Sequence, residues 1–248
     1  MLGVVVSLPR ELKTLTREPI PIGSCKAISA NTLVALAGIG AERAYAAGSV
    51  LISEGATALL SWGYAAALDE HLNAGCLLLP ERIISATGEI YPVSAEWHRR
   101  LHQILSARCS IGTDALVEST DVVRTPSEKR TLARRTRATA TDMESAAQAR
   151  LAQEHSLPFA VVRVVVDTAS TDIPRNVIQS LDGEGDISAW KFLANTCLRP
   201  TDWIAVMKLS MQFNAARKTL KNSSKLVLET SQIYLDDISP GAAPSLLA

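Results

Sequence analysis

The sequence predicts a three-layer α/β domain, in which helices cover both faces of a central twisted mixed sheet. Short apolar runs alternate with helical patterns over much of the chain. Residues 158–166 form a nearly unbroken apolar run that is rich in β-branched residues. A strand of this composition needs apolar cover on both faces, which favours a central position in a parallel or mixed sheet. Strands and helices that alternate around such a strand are typical of an α/β architecture.

Apolar periodicity and local helix breakers place the elements along the chain. Strands are predicted over 2–7, 32–37, 57–62, 76–79, 82–85, 109–117 and 158–166. Helices are predicted over 41–54, 94–107, 142–154 and 203–221, and Thr201 or Asp202 is expected to cap the last of them. We expect one domain over 1–238, with a helical extension from about residue 182, and a loose tail over 239–248.

Composition excludes several classes of protein. A chain of 248 residues with 47% hydrophobic and 20% charged residues suits one large α/β domain, or less readily two small ones. The 25 basic and 25 acidic residues cancel, so the protein has no overall field for binding nucleic acid. The local basic run over 129–137 is expected to be a solvated helix face rather than a binding patch.

Cysteine and histidine positions argue against a metal site. The four cysteines, Cys25, Cys76, Cys109 and Cys197, form no CxxC pair, and the four histidines show no ligand spacing. We therefore expect no metal, and reduced thiols in a cytoplasmic protein. The N-terminal run has no basic leader, and no apolar stretch approaches the roughly 20 residues that span a bilayer.

Candidate functional residues fall where strands are predicted to end. The positions are Glu11 after the first strand, Gly38 and Gly40 after the second, Gly63 after the third and Asp167 after the last. Glu144 lies in the first turn of the predicted helix over 142–154, next to free backbone amides. Ligands of open α/β sheets gather at the carboxyl ends of strands, so the three carboxylates could converge on one cleft.

Three carboxylates in one cleft would suit the cleavage of a glycosidic bond. One acid protonates the leaving group, one base activates water, and a third group accepts hydrogen bonds from the sugar hydroxyls. Taken singly, each residue has another interpretation. Glu11 could be a solvated residue at the start of a helix, and Glu144 could complement the helix dipole.

Four segments give the sequence a specific resemblance. They are 37–40 (AGIG), 61–65 (SWGYA), 141–147 (TDMESAA) and 161–167 (VVRVVVD). In this order they resemble the nucleoside phosphorylase and nucleosidase family, over roughly residues 2–175. The resemblance implies a single α/β domain, subunits that pair or form higher assemblies, no cofactor, and cleavage of purine nucleosides by water or phosphate.

The resemblance also implies roles, position by position. Asp167 corresponds to the residue that protonates N7 of the departing purine, and Glu11 to the glutamate that activates water. Glu144 corresponds to the residue that binds the ribose hydroxyls, with Met143 packing on the sugar. The remaining substrate-binding positions are Gly63 and Tyr64 beneath the base and ribose, Leu116 and Val117 at the purine, and Gly38 and Gly40, whose amides could bind an anion.

Two positions depart from the family pattern. Val166 precedes Asp167 where many hydrolytic relatives carry a serine that holds the aspartate. Asp167 is therefore expected to rely on a backbone amide or on water. Ala66 and Ala67 stand where glycines are common, which leaves the geometry of that loop open.

The choice between water and phosphate depends on the glycine turn. Phosphorylases of this family place an arginine before the turn and a serine within it, because a bound dianion must be paired. Here these places hold Ser61 and Tyr64. The resemblance therefore favours water, with Asp167 as acid and Glu11 as base. Arg43, close to the two glycine amides in sequence, leaves phosphate as an alternative.

Within the family, the sequence is most similar to the hopanoid-associated phosphorylases, on the segments 142–145, 164–169, 173–174 and 198–200. This implies removal of adenine from adenosylhopane, which leaves ribosylhopane, and keeps peripheral membrane contact open. The alternatives are a methylthioadenosine or adenosylhomocysteine nucleosidase, a phosphate-dependent purine nucleoside phosphorylase, and an inactive nucleoside-binding relative.

The predicted C-terminal helix carries apolar residues on more than one stripe. They are Trp203, Ile204, Val206, Met207, Leu209, Met211 and Phe213. This breadth favours an apolar wall for a lipid-sized substituent on the ribose, or burial of the helix in the core or in a subunit contact.

Overall fold

A mixed sheet forms the middle layer of the computed structural model, which describes residues 1–173 and 202–238. Within these residues the sheet has eleven strands. They are β1 (Leu2–Val6), β2 (Ser24–Ser29), β3 (Thr32–Leu36), β4 (Ala58–Ala67), β5 (Leu77–Leu78), β6 (Arg82–Ile84), β7 (Ile90–Pro92), β8 (Ile111–Gly112), β9 (Leu116–Glu118), β10 (Ala140–Asp142) and β11 (Phe159–Asp167). The described helices are α1 (Pro9–Leu15), α2 (Ala41–Ser53), α3 (Ala95–Ser106), α4 (Pro126–Thr136), α5 (Ser145–Glu154) and α6 (Asp202–Ile238).

Parallel pairing at the centre of the sheet sets the position of the site. Strand β1 lies parallel to both β3 and β4, and β4 lies parallel to β11. The carboxyl ends of these strands therefore meet at one edge of the sheet, where α/β proteins bind ligands. Strand β10 runs antiparallel to the last residues of β4 and leads into α5, whose first residue Ser145 has its hydroxyl 3.2 Å from that of Ser61 in β4.

Helices cover both faces of the sheet, which confirms the predicted three-layer α/β architecture. On one face α2 and α5 pack together, with Leu51 and Leu151 in the core beneath them. On the other face lie α1, α3 and α6, which bury Leu12, Trp97 and Leu220. The long apolar strand predicted over 158–166 is β11, buried between these two layers. No described helix is long and apolar enough to cross a membrane.

Strand β4 is longer than its sequence pattern predicts. The prediction ended at Trp62, because Gly63 normally interrupts a strand. In the structure the strand continues to Ala67, with Gly63 paired to Arg163 of β11 and Ala67 paired to Ala140 of β10. Continuous pairing with β11 on one side, and with β10 at Ala66 and Ala67 on the other, carries the strand past the glycine.

Several short elements were missed or merged by the sequence pattern. The single strand predicted over 109–117 is two strands, β8 and β9, separated by a turn. Helix α4 carries a start signal that could have located it, since Thr125 and Glu128 form a capping box around Pro126. The helix predicted over 142–154 begins only at Ser145, because residues 140–142 pair as β10.

Helix α6 also extends further than predicted, to Ile238 rather than about residue 221. The segment 202–238 contains neither glycine nor proline. Its buried residues Ala216, Leu220, Val227 and Tyr234 are four and seven residues apart, which keeps one stripe against the core. Trp97 of α3 stacks on Tyr234, with ring centroids 5.3 Å apart. Tertiary packing therefore maintains the helix through serines that weaken the local pattern.

Both ends of the C-terminal region predicted from sequence lie outside the described residues. These are the start of the helical extension near residue 182 and the loose tail over 239–248.

Leu220→Ala is expected to lower the free energy of unfolding by about 2–5 kcal/mol, because Leu220 is fully buried between α6 and the sheet. Urea unfolding measures the change. Lys221→Ala, at the adjacent exposed position, is the matched control and should change stability by less than about 0.5 kcal/mol. Equal effects of the two substitutions would show that α6 does not belong to the core.

Candidate active site

Glu11 is a buried carboxylate held by backbone amides from two elements. It lies in the first turn of α1 and is only 2% exposed. Its Oε2 accepts the amides of Ser7 and Leu8, both at 2.9 Å, and its Oε1 accepts the amide of Tyr64 at 2.9 Å. Burial raises the pKa of Glu11, while the nearby Arg163 guanidinium and the amides oppose that rise. The solvated interpretation of Glu11 is therefore wrong.

Gly63 leaves the space in which Glu11 and Arg163 approach each other. A Cβ atom at this position would lie 2.2 Å from Arg163 Nη1 and 2.3 Å from Glu11 Oε1. Any other residue would push the guanidinium and the carboxylate apart. The structure therefore assigns Gly63 a packing requirement inside β4, rather than a place after the end of the strand.

Arg163 is a buried cation in the middle of an apolar strand. It is 1% exposed and forms an ion pair with Asp142 at 2.8 Å. Its Nη2 also donates to Ser61 Oγ at 2.8 Å and to Ser145 Oγ at 3.1 Å. Burial disfavours the charged guanidinium, but the carboxylates of Asp142, Glu11 and Glu144 together raise its pKa.

Sequence reasoning missed Arg163 and Asp142 as members of the site, although both lie in segments that carry the family resemblance. The available signal was the arginine itself. A charged residue within an otherwise apolar run is almost never buried without a partner. Its partner Asp142 ends β10 and also accepts the amide of Ser145 at 3.2 Å, which ties the start of α5 to β11.

Glu144 joins this cluster from the start of α5. It occupies the N-cap position rather than the first turn that was predicted. Glu144 Oε1 accepts the amide of Gly40 at 3.0 Å. Burial and the Asp142 charge raise the pKa of Glu144 to about 8, although Arg163 lowers it. Glu11 and Glu144 thus share the Arg163 charge, which places these two predicted residues in one electrostatic cluster.

The two glycines after β3 contact protein groups. Gly40 has a φ of +106°, starts α2, and directs its amide to Glu144. Gly38 has a φ of +84°, and a Cβ atom there would lie 2.9 Å from Arg43 Nη1. The Gly40 amide that was expected to bind an anion therefore already binds a carboxylate of the protein.

Asp167 lies at the end of β11, beyond an irregularity in the strand. Val165 pairs with Ala65 and Asp167 pairs with Ala66, so Val166 is an extra residue in a β-bulge. Asp167 forms a buried ion pair with Lys129 of α4. Burial raises the pKa of Asp167, and the Lys129 charge and hydrogen bond oppose that rise. The partner expected from sequence was a backbone amide or water; in the structure a lysine occupies that place.

The solvated face expected over 129–137 is wrong for Lys129, which is fully buried. Arg130, Arg134, Arg135 and Arg137 of the same run are exposed. The whole basic run was predicted to form one solvated face, but α4 places Lys129 on its buried side.

The remaining predicted residues fall into two groups. Tyr64 and Met143 flank the carboxylate cluster: the Tyr64 ring packs 5.1 Å from the Phe213 ring of α6, and the Met143 amide contacts Glu144 at 3.3 Å. Leu116 and Val117 are not brought to this cluster. Both are buried in apolar clusters around β9.

Comparison with known proteins supplies the family. The family model described as "Phosphorylase superfamily" matches residues 2–194. The chain belongs to the phosphorylase superfamily. This match covers every strand and the helices α1–α5 of the described fold. No curated relative matches the sequence.

Solved structures share the superfamily fold at low sequence identity. A Helicobacter pylori 5′-methylthioadenosine/S-adenosylhomocysteine nucleosidase is 17% identical, with a TM-score of 0.69 over 94% of this chain and 97% of that one. A futalosine hydrolase of the same organism has a TM-score of 0.68 at 17% identity over the same shares. A Neisseria meningitidis 5′-methylthioadenosine/S-adenosylhomocysteine nucleosidase, with methylthio-immucillin-A, is 15% identical, with a TM-score of 0.66 over 92% and 96%.

Glu144→Gln is expected to stabilise the protein at high pH. The pKa of Glu144 is about 8 in the folded protein, against 4.5 for an ordinary glutamate. The folded state therefore keeps a proton that the unfolded chain releases. The stability that this proton provides is present below pH 4.5 and is lost as the pH rises through 8. A glutamine at this position does not ionise, so the variant does not lose stability in this way as the pH rises.

The difference in unfolding free energy between Glu144→Gln and the unchanged protein should grow with pH, reaching on the order of 2–4 kcal/mol at about pH 9. Urea titrations at several pH values measure it. Glu229→Gln on α6, whose side chain is 56% exposed, is the control. A difference that stays flat with pH would mean that Glu144 ionises as it does in water.

Proposed function

We propose that this member of the phosphorylase superfamily is a purine nucleosidase, which hydrolyses the N-glycosidic bond of an adenine nucleoside. The observation that carries the proposal is a buried set of carboxylates at the carboxyl edge of the sheet. Glu11 and Glu144 share the Arg163 charge, and Asp167 ends the strand that carries Arg163. Burying several carboxylates costs free energy, and buried carboxylates with shifted pKa values are concentrated at functional sites.

In the proposed reaction, Glu11 accepts a proton from water as the water oxygen attacks C1′ of the ribose. The N9–C1′ bond breaks, and Asp167 gives a proton to N7, so that adenine leaves as a neutral base. Glu144 accepts hydrogen bonds from the ribose hydroxyls, with Met143 against the sugar. Raised pKa values suit both proton transfers, since acids and bases work best near the ambient pH.

The charge pattern supports water over phosphate as the attacking group. A phosphate dianion needs cations and amides that are not already paired. Arg163 is buried against Asp142, Ser61 is bound to Arg163, and the Gly40 amide is bound to Glu144. The cluster thus already contains the negative groups that a phosphate would have to displace.

A phosphorylase is the second candidate, and one observation favours it. Arg43 is exposed and lies against Gly38, at the loop that opens α2. Its guanidinium adds positive charge at this loop, which is the sign that a phosphate-binding loop requires. The product distinguishes the two candidates, because hydrolysis yields a free sugar and phosphorolysis a sugar phosphate.

The protein is expected to release adenine at full rate in phosphate-free buffer. The assay measures the free base and the reducing sugar that form. Asp167→Asn should lower the rate by about 100- to 10,000-fold, the usual cost of losing a general acid. Asp236→Asn, at an exposed position of α6, is the control.

Strict dependence on phosphate would favour the phosphorylase. Binding of nucleosides without any release of base would favour an inactive nucleoside-binding relative. A rate within tenfold of the unchanged protein for a folded Asp167→Asn variant would exclude Asp167 as the acid.

For the substrate, we propose adenosylhopane, whose triterpene chain would extend from the ribose along the first half of α6. This half of the helix lies beside the candidate site. Phe213 packs on Tyr64, and Gln212 hydrogen-bonds to Thr171 in the turn after β11 at 3.2 Å. Met207 and Met211, one helical turn apart on the same helix, are 62% and 64% exposed. Exposed methionines adapt to irregular apolar ligands.

Methylthioadenosine or adenosylhomocysteine is the alternative substrate, and the solved structures named for those nucleosides support it through their shared fold.

Of the apolar residues that suggested a lipid-binding wall, the side chains of Trp203, Ile204 and Val206 lie outside the described part of the protein.

Replacing Met207 and Met211 together by serine should lower kcat/KM for adenosylhopane by about tenfold or more and leave adenosine unchanged, because each methionine would lose roughly 1.5–3 kcal/mol of apolar burial. Ile233→Ser is the control: it removes an exposed apolar residue of α6 that lies about 33 Å further along the helix. A higher kcat/KM for methylthioadenosine than for adenosylhopane in the unchanged protein would exclude the hopanoid assignment.

A further inference from the structure

Lys129 is a buried lysine whose three N–H donors are all directed at the segment that ends β11. It forms the ion pair with Asp167 and also donates to the carbonyls of Thr168 at 2.7 Å and Thr171 at 3.3 Å. An ammonium has three donors and no acceptor. Each donor thus has an acceptor, and the lysine connects α4 to both the candidate acid and its turn.

We propose that Lys129 is a positioning residue, which orients the Asp167 carboxyl and sets the pH range over which Asp167 donates its proton. This inference rests on the proposed function, because it concerns the same proton transfer. The Lys129 ammonium takes no part in the proton transfers of the proposed reaction, and the inference gives this charge a role.

The way in which Asp167 is held supports this role. Glu11 is fixed by three backbone amides. In the described part of the chain, the hydrogen bond to Asp167 comes from Lys129. The bulge at Val166 interrupts the pairing of β11 just before Asp167. The side chain of Lys129 therefore does for Asp167 what the backbone does for Glu11.

The charge of Lys129 also opposes the effect that burial has on the pKa of Asp167. A carboxyl this deeply buried, without a counterion, would keep its proton to high pH and would be a weak acid. A neighbouring ammonium stabilises the carboxylate, which makes the proton easier to transfer. The two effects oppose each other at Asp167. Their balance places proton donation closer to neutral pH than burial alone would allow.

The other charges around Asp167 are compensated elsewhere. Arg124, which precedes α4, pairs with Asp172 at 3.3 Å and donates to the carbonyl of Ile173. Of the described α6 side chains, the one that hydrogen-bonds to this turn is the neutral Gln212. The Arg163 guanidinium of β11 is shared by three carboxyl groups: Glu11 of α1, Asp142 of β10 and Glu144 at the start of α5. Among the residues that the structure describes, Lys129 is thus the charge that acts directly on Asp167.

The test is the pH profile of kcat/KM for adenine release by the full chain. In Lys129→Met the limb at which Asp167 loses its proton should move upward by about 1–3 pH units, because an opposite charge at this distance lowers a carboxyl pKa by that amount. The plateau kcat should fall, since the remaining carboxyl is a weaker acid. Lys129→Arg retains the charge and should keep the limb near its original pH. Lys225→Met, at a lysine 86% exposed, should leave the profile unchanged.

A folded Lys129→Met variant with an unmoved limb would overturn the role of Lys129 while leaving the proposed function intact. Absence of adenine release by the unchanged protein would instead overturn the proposed function. If Lys129→Met does not fold, NMR of the unchanged protein tests the role of Lys129 instead. The Asp167 carboxyl, assigned with Asp167→Asn, should titrate together with the Lys129 Nζ resonance. A carboxyl that titrates without moving that resonance overturns the inference.

Discussion

The candidate site depends on one buried cation. Arg163 is surrounded by Asp142, Glu11 and Glu144: it forms an ion pair with Asp142 and opposes the rise that burial causes in the pKa of the other two carboxyls. Removing one partner from a buried charge cluster leaves the others uncompensated, which costs far more than the loss of a surface pair. The cluster also connects strands β4, β10 and β11 with the start of α5. The positions of the candidate functional groups and the stability of the central sheet are therefore coupled.

This coupling explains several details of the sequence around Arg163. A glycine is required at position 63, because the guanidinium and the Glu11 carboxylate occupy the space of a side chain. Ser61 and Ser145 supply hydroxyls that fit between the guanidinium and neighbouring strands. Three of the four segments that gave the sequence its family resemblance, 61–65, 141–147 and 161–167, thus contain this cation or its partners. The fourth, 37–40, joins the cluster through the Gly40 amide, which Glu144 accepts.

Much of the fold could be predicted because apolar periodicity is a local signal. The strand β11 and the helices α2 and α3 were located to within a residue or two. Glu11, Glu144 and Asp167 were proposed from their places beside predicted strands and a helix together with the family resemblance, and the structure shows that all three are buried. What the sequence could not show was which charges are buried together. Lys129 looks like one member of a solvated basic run, and only the rotation of α4 against the turn after β11 brings it to Asp167. Likewise, the length of α6 depends on contacts with α3 that no local pattern encodes.

The two carboxylates assigned to proton transfer are held by different means, and the difference suits their opposite roles. Both oxygens of Glu11 accept backbone amides, and these fixed dipoles oppose the rise that burial causes in its pKa and so support the ionised form that a base needs. Asp167 has no comparable set of amides among the described residues and takes its counter-charge from one buried side chain, Lys129. An acid must be able to hold its proton until the leaving group takes it, and burial favours that state. Burial raises the pKa of both carboxyls, and different positive groups oppose that rise in each case: Arg163 and backbone dipoles at the proposed base, and one ammonium at the proposed acid.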